Sequence, residues 1–563
     1  MKRVLSFILI AAMTFLIPLS GCAGNGNGNT GEGSQGSVQT PSSGTTESAA
    51  PTEGSLTGIF PISKEKVEFS VFASSQAQDI PNNPMTKWYE EKTNVHINWE
   101  LVPDQGAAQK LDMMLASGSY TDVIFGGFSK SQQTVYGGQG VFIKLDDLIE
   151  KYGVEFGKIL EKYPQIKEMM TCADGNIYAL PEVNDCYHCN YYYRMWIYQP
   201  WLDKLNLKMP ESLEEYYEVL KAFKNGDPND NGKKDEIPLC GNFQERSCQL
   251  WTIFTYPFIY SNNSSYTTLK DGKIVAAYAQ PEWKEALQYL RKLYVEELLS
   301  PETFIQGGSQ HVKMGENAEV PILGSSPGGH PAQFTKYNGG TGRFFEYKAV
   351  PALKGPTGQR YSYYDPYSLV SSESSGRFVI TNKCKIPEIA FRWADGLYDA
   401  EASLRSTIGV KGEDWDWAKE GQVGINGKPA IWVSYDYNKA KEKSWDQMGL
   451  NYRSDDLRLG QVSGGEKDIE VILYNETKNK YEPYKPADSM LIPPLTYNEQ
   501  NSAEYAELHS VISDYIEASW VRFITGDLDL EKDWDAYLNE LKNMNIDRYL
   551  EIMQKQYDIQ KGK

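Results

Sequence analysis

Between Val67 and Gly127 the apolar residues switch repeatedly between two periods, a rhythm that few folds other than a layered sheet can satisfy. Val67-Glu68-Phe69-Ser70-Val71-Phe72 alternates like a strand, Pro84 to Thr93 reads as a helix, and Val95 to Leu101 alternates again. Ala107 to Ser117 sets Leu111, Met114 and Leu115 on one helical face, and Thr121 to Gly127 is a strand closing on two glycines. Strand and helix in alternation predict an α/β lobe with a mostly parallel sheet, whose ligands lie beyond the carboxyl ends of strands. Those ends are Ala73 to Asp79 and Gly126 to Ser129, which makes Gln76 and Asp79 candidate polar contacts for a ligand.

Farther along, helical stretches dominate: Ser212 to Lys224, Pro281 to Glu297, Pro387 to Ala400, and a set from Ser502 to Gln560 broken at Gly526. No fixed-period repeat is evident. With 563 residues, 40% of them hydrophobic, the chain can bury at least one large core.

The first residues serve transport. Met1-Lys2-Arg3 precedes an apolar run, Val4 to Leu19, that is too short for a comfortable membrane span and reads as a signal peptide over residues 1–21. Its end, Leu19-Ser20-Gly21-Cys22, resembles the bacterial lipobox, which implies a diacylglycerol on Cys22 as the first mature residue and stable anchoring in the membrane. Residues 22–65 are mostly Gly, Asn, Ser, Thr and Pro, too poor in large apolar groups to fold, and form a disordered tether. Roughly forty such residues let a domain range about 35 Å from the membrane.

Charge narrows the partners. Lys plus Arg total 56 against 75 Asp plus Glu, a formal charge of −19 that becomes −21 once Lys2 and Arg3 leave with the leader. A nucleic-acid partner needs a basic surface and is excluded. The 38 Tyr and 13 Trp offer rings that stack on a ligand while hydrogen-bonding at one edge. Besides Cys22 there are Cys172, Cys186, Cys189, Cys240, Cys248 and Cys384. The Cys186-Tyr187-His188-Cys189 quartet admits a redox pair or half a zinc site, but no second CxxC exists; core thiols, or one or two structural disulfides, fit the six better.

The most specific local signal is Asp227-Pro228-Asn229-Asp230-Asn231-Gly232-Lys233-Lys234-Asp235-Glu236. Side-chain oxygens at offsets 0, 2 and 4, a glycine at the sharp turn and two later carboxylates wrap a loop around a hard cation, as in the first nine positions of an EF-hand. Calcium ligands are thus expected from Asp227, Asn229, Asn231, Lys233 (through its carbonyl), Asp235 and Glu236; Pro238 stands where the EF-hand has its bidentate Glu, and Glu236 takes that part.

Taken with Trp201-Leu202-Asp203-Lys204-Leu205, Ser212-Leu213-Glu214-Glu215-Tyr216, Asp174-Gly175-Asn176-Ile177-Tyr178 and the tail around Phe523-Ile524-Thr525-Gly526, this loop resembles that of extracellular solute-binding proteins of carbohydrate ABC transporters. The likeness extends to large Gram-positive lipoproteins and the calcium-containing alginate-binding proteins, over roughly residues 66 to 558. The resemblance implies two α/β lobes joined by hinge crossings, the second rich in helix, closing on an oligosaccharide and handing it to a membrane permease. It implies lobe 1 at roughly 66–183 plus part of 370–430 and lobe 2 at roughly 184–365 plus 431–563, a structural calcium, and a monomer on the extracellular face of the cell membrane. The family holds its sugar contacts in no fixed motif. Stacking residues are sought at Tyr187 and Tyr191, within the run of tyrosines just past the expected first hinge, and at Trp251 and Tyr364.

Two other classes compete. Asp414 and Asp416 invite a glycosidase reading, yet 75 acids make close pairs commonplace. The five His form neither HExxH nor a nucleophile pair, and the P-loop is absent, so no enzyme is expected. A glycan- or peptide-capturing adhesin shares the tether, anchor and acidic domain, and differs only in ligand and in having no transport role.

Overall fold

Phe69, Val71 and Ala73 alternate to one side of strand β1 (Val67–Ser74) and are buried, as the two-residue period requires. The computed structural model describes residues 60–75, 79–104, 106–370, 376–435, 443–445, 448–497 and 499–562. Cys22, Gln76 and residues 22–59 of the expected 22–65 tether lie outside the described residues, whereas Ile62, within that span, is buried in the first core with its N–H donating to the Thr93 carbonyl at 3.1 Å.

β1 pairs in parallel with β2 (Val95–Val102) on one edge and β3 (Val123–Phe125) on the other. The helices Pro84–Thr93 and Ala107–Ser117 supply the crossovers where the sequence puts them, the first opened by Asn83, whose side-chain oxygen accepts the Met85 N–H at 2.9 Å. Beyond β3 the sheet departs from expectation. Its order is β2-β1-β3-β11-β4, with β11 (Phe378–Ile380) antiparallel to both β3 and β4 (Ala179–Leu180). Phe378, the first residue of β11, lies opposite Phe125, the last of β3, so the returning chain enters at the end where β3 leaves and must run the other way. The core under this sheet gathers Phe69, Tyr89, Phe125, Trp393 and Trp445, and it draws on residues 62–183, 369–402 and, later than the sequence boundary, Trp445, Met448 and Leu450.

A second core takes residues 191–353 and 473–557. Its sheet is small and antiparallel: β6 (Arg194–Tyr198) lies between β9 (Ser325–Gly328) and β10 (Tyr347–Val350). Helices do most of the covering, among them Leu213–Asn225, Pro281–Val295 and the 27-residue Glu499–Thr525, and a hairpin of β7 (Thr267–Lys270) and β8 (Lys273–Ala276) closes one side. Trp520 sits at the centre, its ring 4.8 Å from Trp283, 4.9 Å from Tyr266 and 5.5 Å from Trp251. Gly526, at φ +93°, ends the long helix in a conformation that suits glycine, and a Cβ there would meet the Arg291 guanidinium at 2.2 Å. A smaller cluster of Leu404, Ile408, Trp415, Trp432 and Leu457 packs around the pair β12 (Trp415–Trp417) and β13 (Trp432–Ser434).

The chain passes between the two large cores at residues 183–191, 353–369 and 450–473. These passages are bonded to one another. β5 (Val183–Asn184) pairs in parallel with β14 (Tyr452–Arg453), the Asn184 N–H donates to the Leu369 carbonyl at 3.0 Å, and the Asp365 N–H donates to the Asn190 carbonyl at 2.9 Å.

Candidate functional site

A cavity of about 790 Å³ opens where the end of β3 faces the second core. On the β3 side Ser129 opens the helix Lys130–Gly138 with a capping box: its hydroxyl accepts the Gln132 N–H at 3.2 Å and its own N–H donates to Gln132 Oε1 at 2.9 Å. That fixes Ser129, Lys130 and Thr134 on the wall, at the strand end to which the α/β rule points. The Lys130 ammonium donates to the Thr171 carbonyl at 2.6 Å, and burial lowers its pKa to about 8.

The opposite wall is built from tyrosines. Tyr193 precedes β6, Tyr260 follows a short helix, and Tyr363, Tyr364 and Tyr367 lie on the second passage between cores. Tyr497 and Tyr505 come from the far end of the chain and stack at 4.1 Å, while Tyr193 meets Tyr363 edge to face at 4.5 Å. Burial raises the pKa of Tyr193, Tyr260 and Tyr363, so these hydroxyls remain donors at neutral pH. The half-buried Asp365 carboxylate accepts the Tyr367 N–H at 2.9 Å and the Tyr363 hydroxyl at 3.4 Å. Among the described residues the wall's charges balance: Lys130 and Arg246 against Glu168 and Asp365. Ring faces, neutral hydroxyls and amides with no excess charge form a surface for an uncharged, hydroxyl-rich ligand.

The residues singled out in the sequence fall in different places. Tyr364 lines the cavity. Tyr191 is 4% exposed and supports Tyr364 from behind with rings 5.0 Å apart; Tyr187 packs behind Tyr191, and neither reaches the cavity wall. Trp251 is 1% exposed and belongs to the Trp520 cluster, its indole N–H donating to the Tyr266 hydroxyl at 3.2 Å, because its helix Trp251–Phe254 faces inward. Asp79 is exposed at φ 52°, with its carboxylate accepting the Asn82 amide at 2.9 and 3.0 Å, and it lines neither of the two large cavities. Tyr260, Tyr363, Tyr497 and Tyr505 were not singled out; among 38 tyrosines no spacing distinguishes them.

Cys186 and Cys189 form a disulfide on the first passage between cores. Their sulfurs and a nitrogen of His188 lie within 4.8 Å of one another, the one such trio among the described residues, but the disulfide takes up both thiolates that a metal would need. His188 is buried with its Nδ1 3.7 Å from a Glu470 oxygen, and burial depresses its pKa to about 3. Cys172, Cys240 and Cys248 are buried thiols and Cys384 is half-buried.

The loop after the helix Leu213–Asn225 folds back on itself around side-chain oxygens. Asp227 accepts the N–H groups of Asn231 at 3.2 Å and Gly232 at 3.1 Å, and Asn231 Oδ1 accepts the Lys233 N–H at 2.7 Å. The amides of Asn229 and Asn231 turn their nitrogens onto the Asp235 carboxylate at 2.9 Å. A half-turn of each amide presents oxygen instead. Glu236 Oε1 is buried without a partner, and burial beside Asp227 and Asp235 raises the Glu236 pKa. An orphaned carboxylate oxygen in an oxygen-rich turn, with φ positive at Asp227, Asp230 and Gly232, suits a hard cation.

Residues 73–404 match the family model described as bacterial extracellular solute-binding protein. The fructooligosaccharide ABC transporter substrate-binding protein FusA of Streptococcus pneumoniae serotype 4 is 28% identical over 552 residues, covering 92% of this chain and 94% of the relative. Lipoprotein LipO of Bacillus subtilis is 24% identical, covering 89% of this chain and 93% of the relative. A solved structure of an EF-hand mutant of the S. pneumoniae protein in complex with fructo-nystose superposes with a TM-score of 0.72 at 23% identity, covering 88% of this chain and 99% of the other, and that likeness shows the fold.

Proposed function

The chain belongs to the bacterial extracellular solute-binding proteins, and we propose that its solute is a mostly neutral oligosaccharide, held in the 790 Å³ cavity and delivered to the permease of an ABC transporter. The observation that carries this reading is the tyrosine wall with balanced charge. Rings stack on the apolar faces of sugar rings while phenol, amide and Ser129 hydroxyl groups exchange hydrogen bonds with the sugar's own. The fructooligosaccharide in the name of FusA supports the ligand class. The two cores are the closing lobes, and the three bonded passages are the joint, so a ligand preferring the closed form shifts the population toward it.

Two accessory features belong to the same proposal. Calcium is held by Asp227, Asn229, Asn231, the Lys233 carbonyl, Asp235 and Glu236; it supplies charge that satisfies the orphaned Glu236 oxygen and fixes the turn, and it does not touch sugar. A lipid on Cys22 keeps the protein, as a monomer, on the outer face of the cell membrane, a reading that the lipoprotein relative supports.

The test is calorimetry of the Leu56–Lys563 unit against a panel of neutral oligosaccharides, with the glycan recovered and weighed by mass spectrometry. Binding with the glycan intact is expected. Absence of binding to every neutral member overturns the ligand class, and a cleaved glycan would establish an enzyme.

A further inference from the structure

A second cavity, about 720 Å³, lies on the other side of the passages between the cores and shares no wall residue with the first. Its charge is the reverse of the chain's. In a protein of formal charge −19, its wall carries, among the described residues, Arg194, Arg453, Arg458 and Lys467 against Asp468 and Glu470. Both carboxylates are already engaged. Both Glu470 oxygens accept from the one Arg458 Nη2 at 3.0 Å, and Asp468 accepts the N–H groups of Glu470 at 2.9 Å and Gly464 at 3.1 Å as the cap of the helix Ile469–Lys480.

Arg194 is what such a wall leaves over. It is fully buried, and its guanidinium donates only to neutral oxygens: the carbonyls of Tyr192, His188 and Gly329, and the Thr477 hydroxyl at 2.8 Å. Among the described residues no carboxylate pairs with it. Its Nε is buried without a partner, and so is Nδ1 of His330 on the same wall. Burial pulls the Arg194 pKa down to about 10. The Glu476 carboxylate offsets part of this charge without an ion pair to the guanidinium, burial still outweighs it, and an anion brought into the cavity offsets more of the cost. Rings are present as well: Tyr192, Tyr337 and Trp432. Gly329 lets Tyr192 take its place, since a Cβ there would stand 2.4 Å from the ring.

We propose that this cavity is a second small-molecule site, for a sugar-sized ring bearing one anionic group, a uronate or a sugar phosphate. Arg194 supplies the fixed charge, Lys467 the charge nearer the mouth, and the aromatic side chains the stacking face. The site does not depend on the oligosaccharide reading of the first cavity, because no residue is common to both.

Calorimetry on the full-length chain in detergent decides it, using galacturonate, glucose 6-phosphate, glucose and inorganic phosphate as probes. At least one of the two acidic sugars is expected to bind tenfold or more tightly than glucose, and less tightly as salt rises. Which of the two binds identifies the anionic group. Lys467→Met and Lys467→Ala should each weaken that binding at least fivefold, and because Lys467 is exposed both variants keep the fold. Tyr364→Ala and Tyr367→Ala, on the first cavity, should leave the acidic sugar untouched. The proposal fails if neither acidic sugar outbinds glucose, if the Tyr variants weaken the anion as much as the cation variants do, or if inorganic phosphate binds as tightly as both sugars.

Discussion

The rings of Tyr192 and Tyr193 meet edge to face, 5.7 Å between centroids and 83° between planes, and look into different cavities. Two consecutive residues therefore form the partition between a charge-balanced, tyrosine-lined chamber and a cationic one. Tyr193 is held on its side by Tyr363 at 4.5 Å, and Tyr192 on the other by the missing side chain of Gly329. The affinity of each chamber can accordingly be changed without altering the wall of the other.

Truncating a ring of the first cavity should cost affinity and little stability. For Tyr364→Ala and Tyr367→Ala we expect a loss on the order of 1–3 kcal/mol in neutral glycan binding by calorimetry. Trp251→Ala should behave in the opposite way, losing about 3–5 kcal/mol of stability because a buried indole leaves a cavity. Wild-type affinity in both Tyr variants would move the ligand elsewhere.

Removing metal should lower stability through the Asp227 loop. EDTA is expected to drop the melting temperature of the parent protein, because a cation that binds only the native state adds to its stability. In Asp235→Ala the same treatment should change little. Elemental analysis of calcium-supplied protein that finds no stoichiometric metal would contradict the assignment.

The anchor is tested by one atom. Cys22→Ala should move the protein from the membrane fraction to the medium. Retention at the membrane would show that something other than a lipid on Cys22 holds it there.

Acid should weaken the fold partly through His311, which is fully buried against Phe334 with its Nε2 3.1 Å from the Ser326 hydroxyl. Burial depresses its pKa from 6.5 to about 4, so the unfolded chain takes the proton first. Its contribution is complete above pH 6.5 and is lost as pH falls toward 4, on the order of 3 kcal/mol in all. Asp395, raised to about 6 by burial, works in the other direction over part of that range. The readout is thus the difference in slope: between pH 6.5 and 4 urea stability should fall less steeply in His311→Gln than in the parent. Parallel slopes would remove His311 from the account.

Much of the frame was legible because its signals are local. The period of Val67–Phe72, the helical pattern of Pro84 to Thr93 and the oxygen spacing of Asp227 to Glu236 each depend on a few neighbours, and the helix Pro84–Thr93 falls where the pattern places it. The sense of β11 was not legible, since it depends on the end at which a chain returning from another core enters the sheet. Nor was the cavity wall. Tyr364 and Tyr497 reach it from segments more than a hundred residues apart, whereas Trp251 is removed from it by Trp520, 269 positions later; no spacing near either carries that information. The Cys186–Cys189 pair illustrates the middle case, in which the spacing admits several chemistries and proximity selects one.

The first core begins at Ile62 and is not complete until Leu450, with the bulk of the second core synthesised in between. Any fragment that stops before residue 445 lacks Trp445, which meets Trp393 and Trp99 and donates to the Thr86 hydroxyl at 2.8 Å. An amino-terminal piece cut at the first passage would therefore expose the face of its sheet rather than fold as a small domain. The order in which the chain emerges cannot be the order in which it sets, and expression of the two halves as separate polypeptides should yield insoluble material unless both are made together.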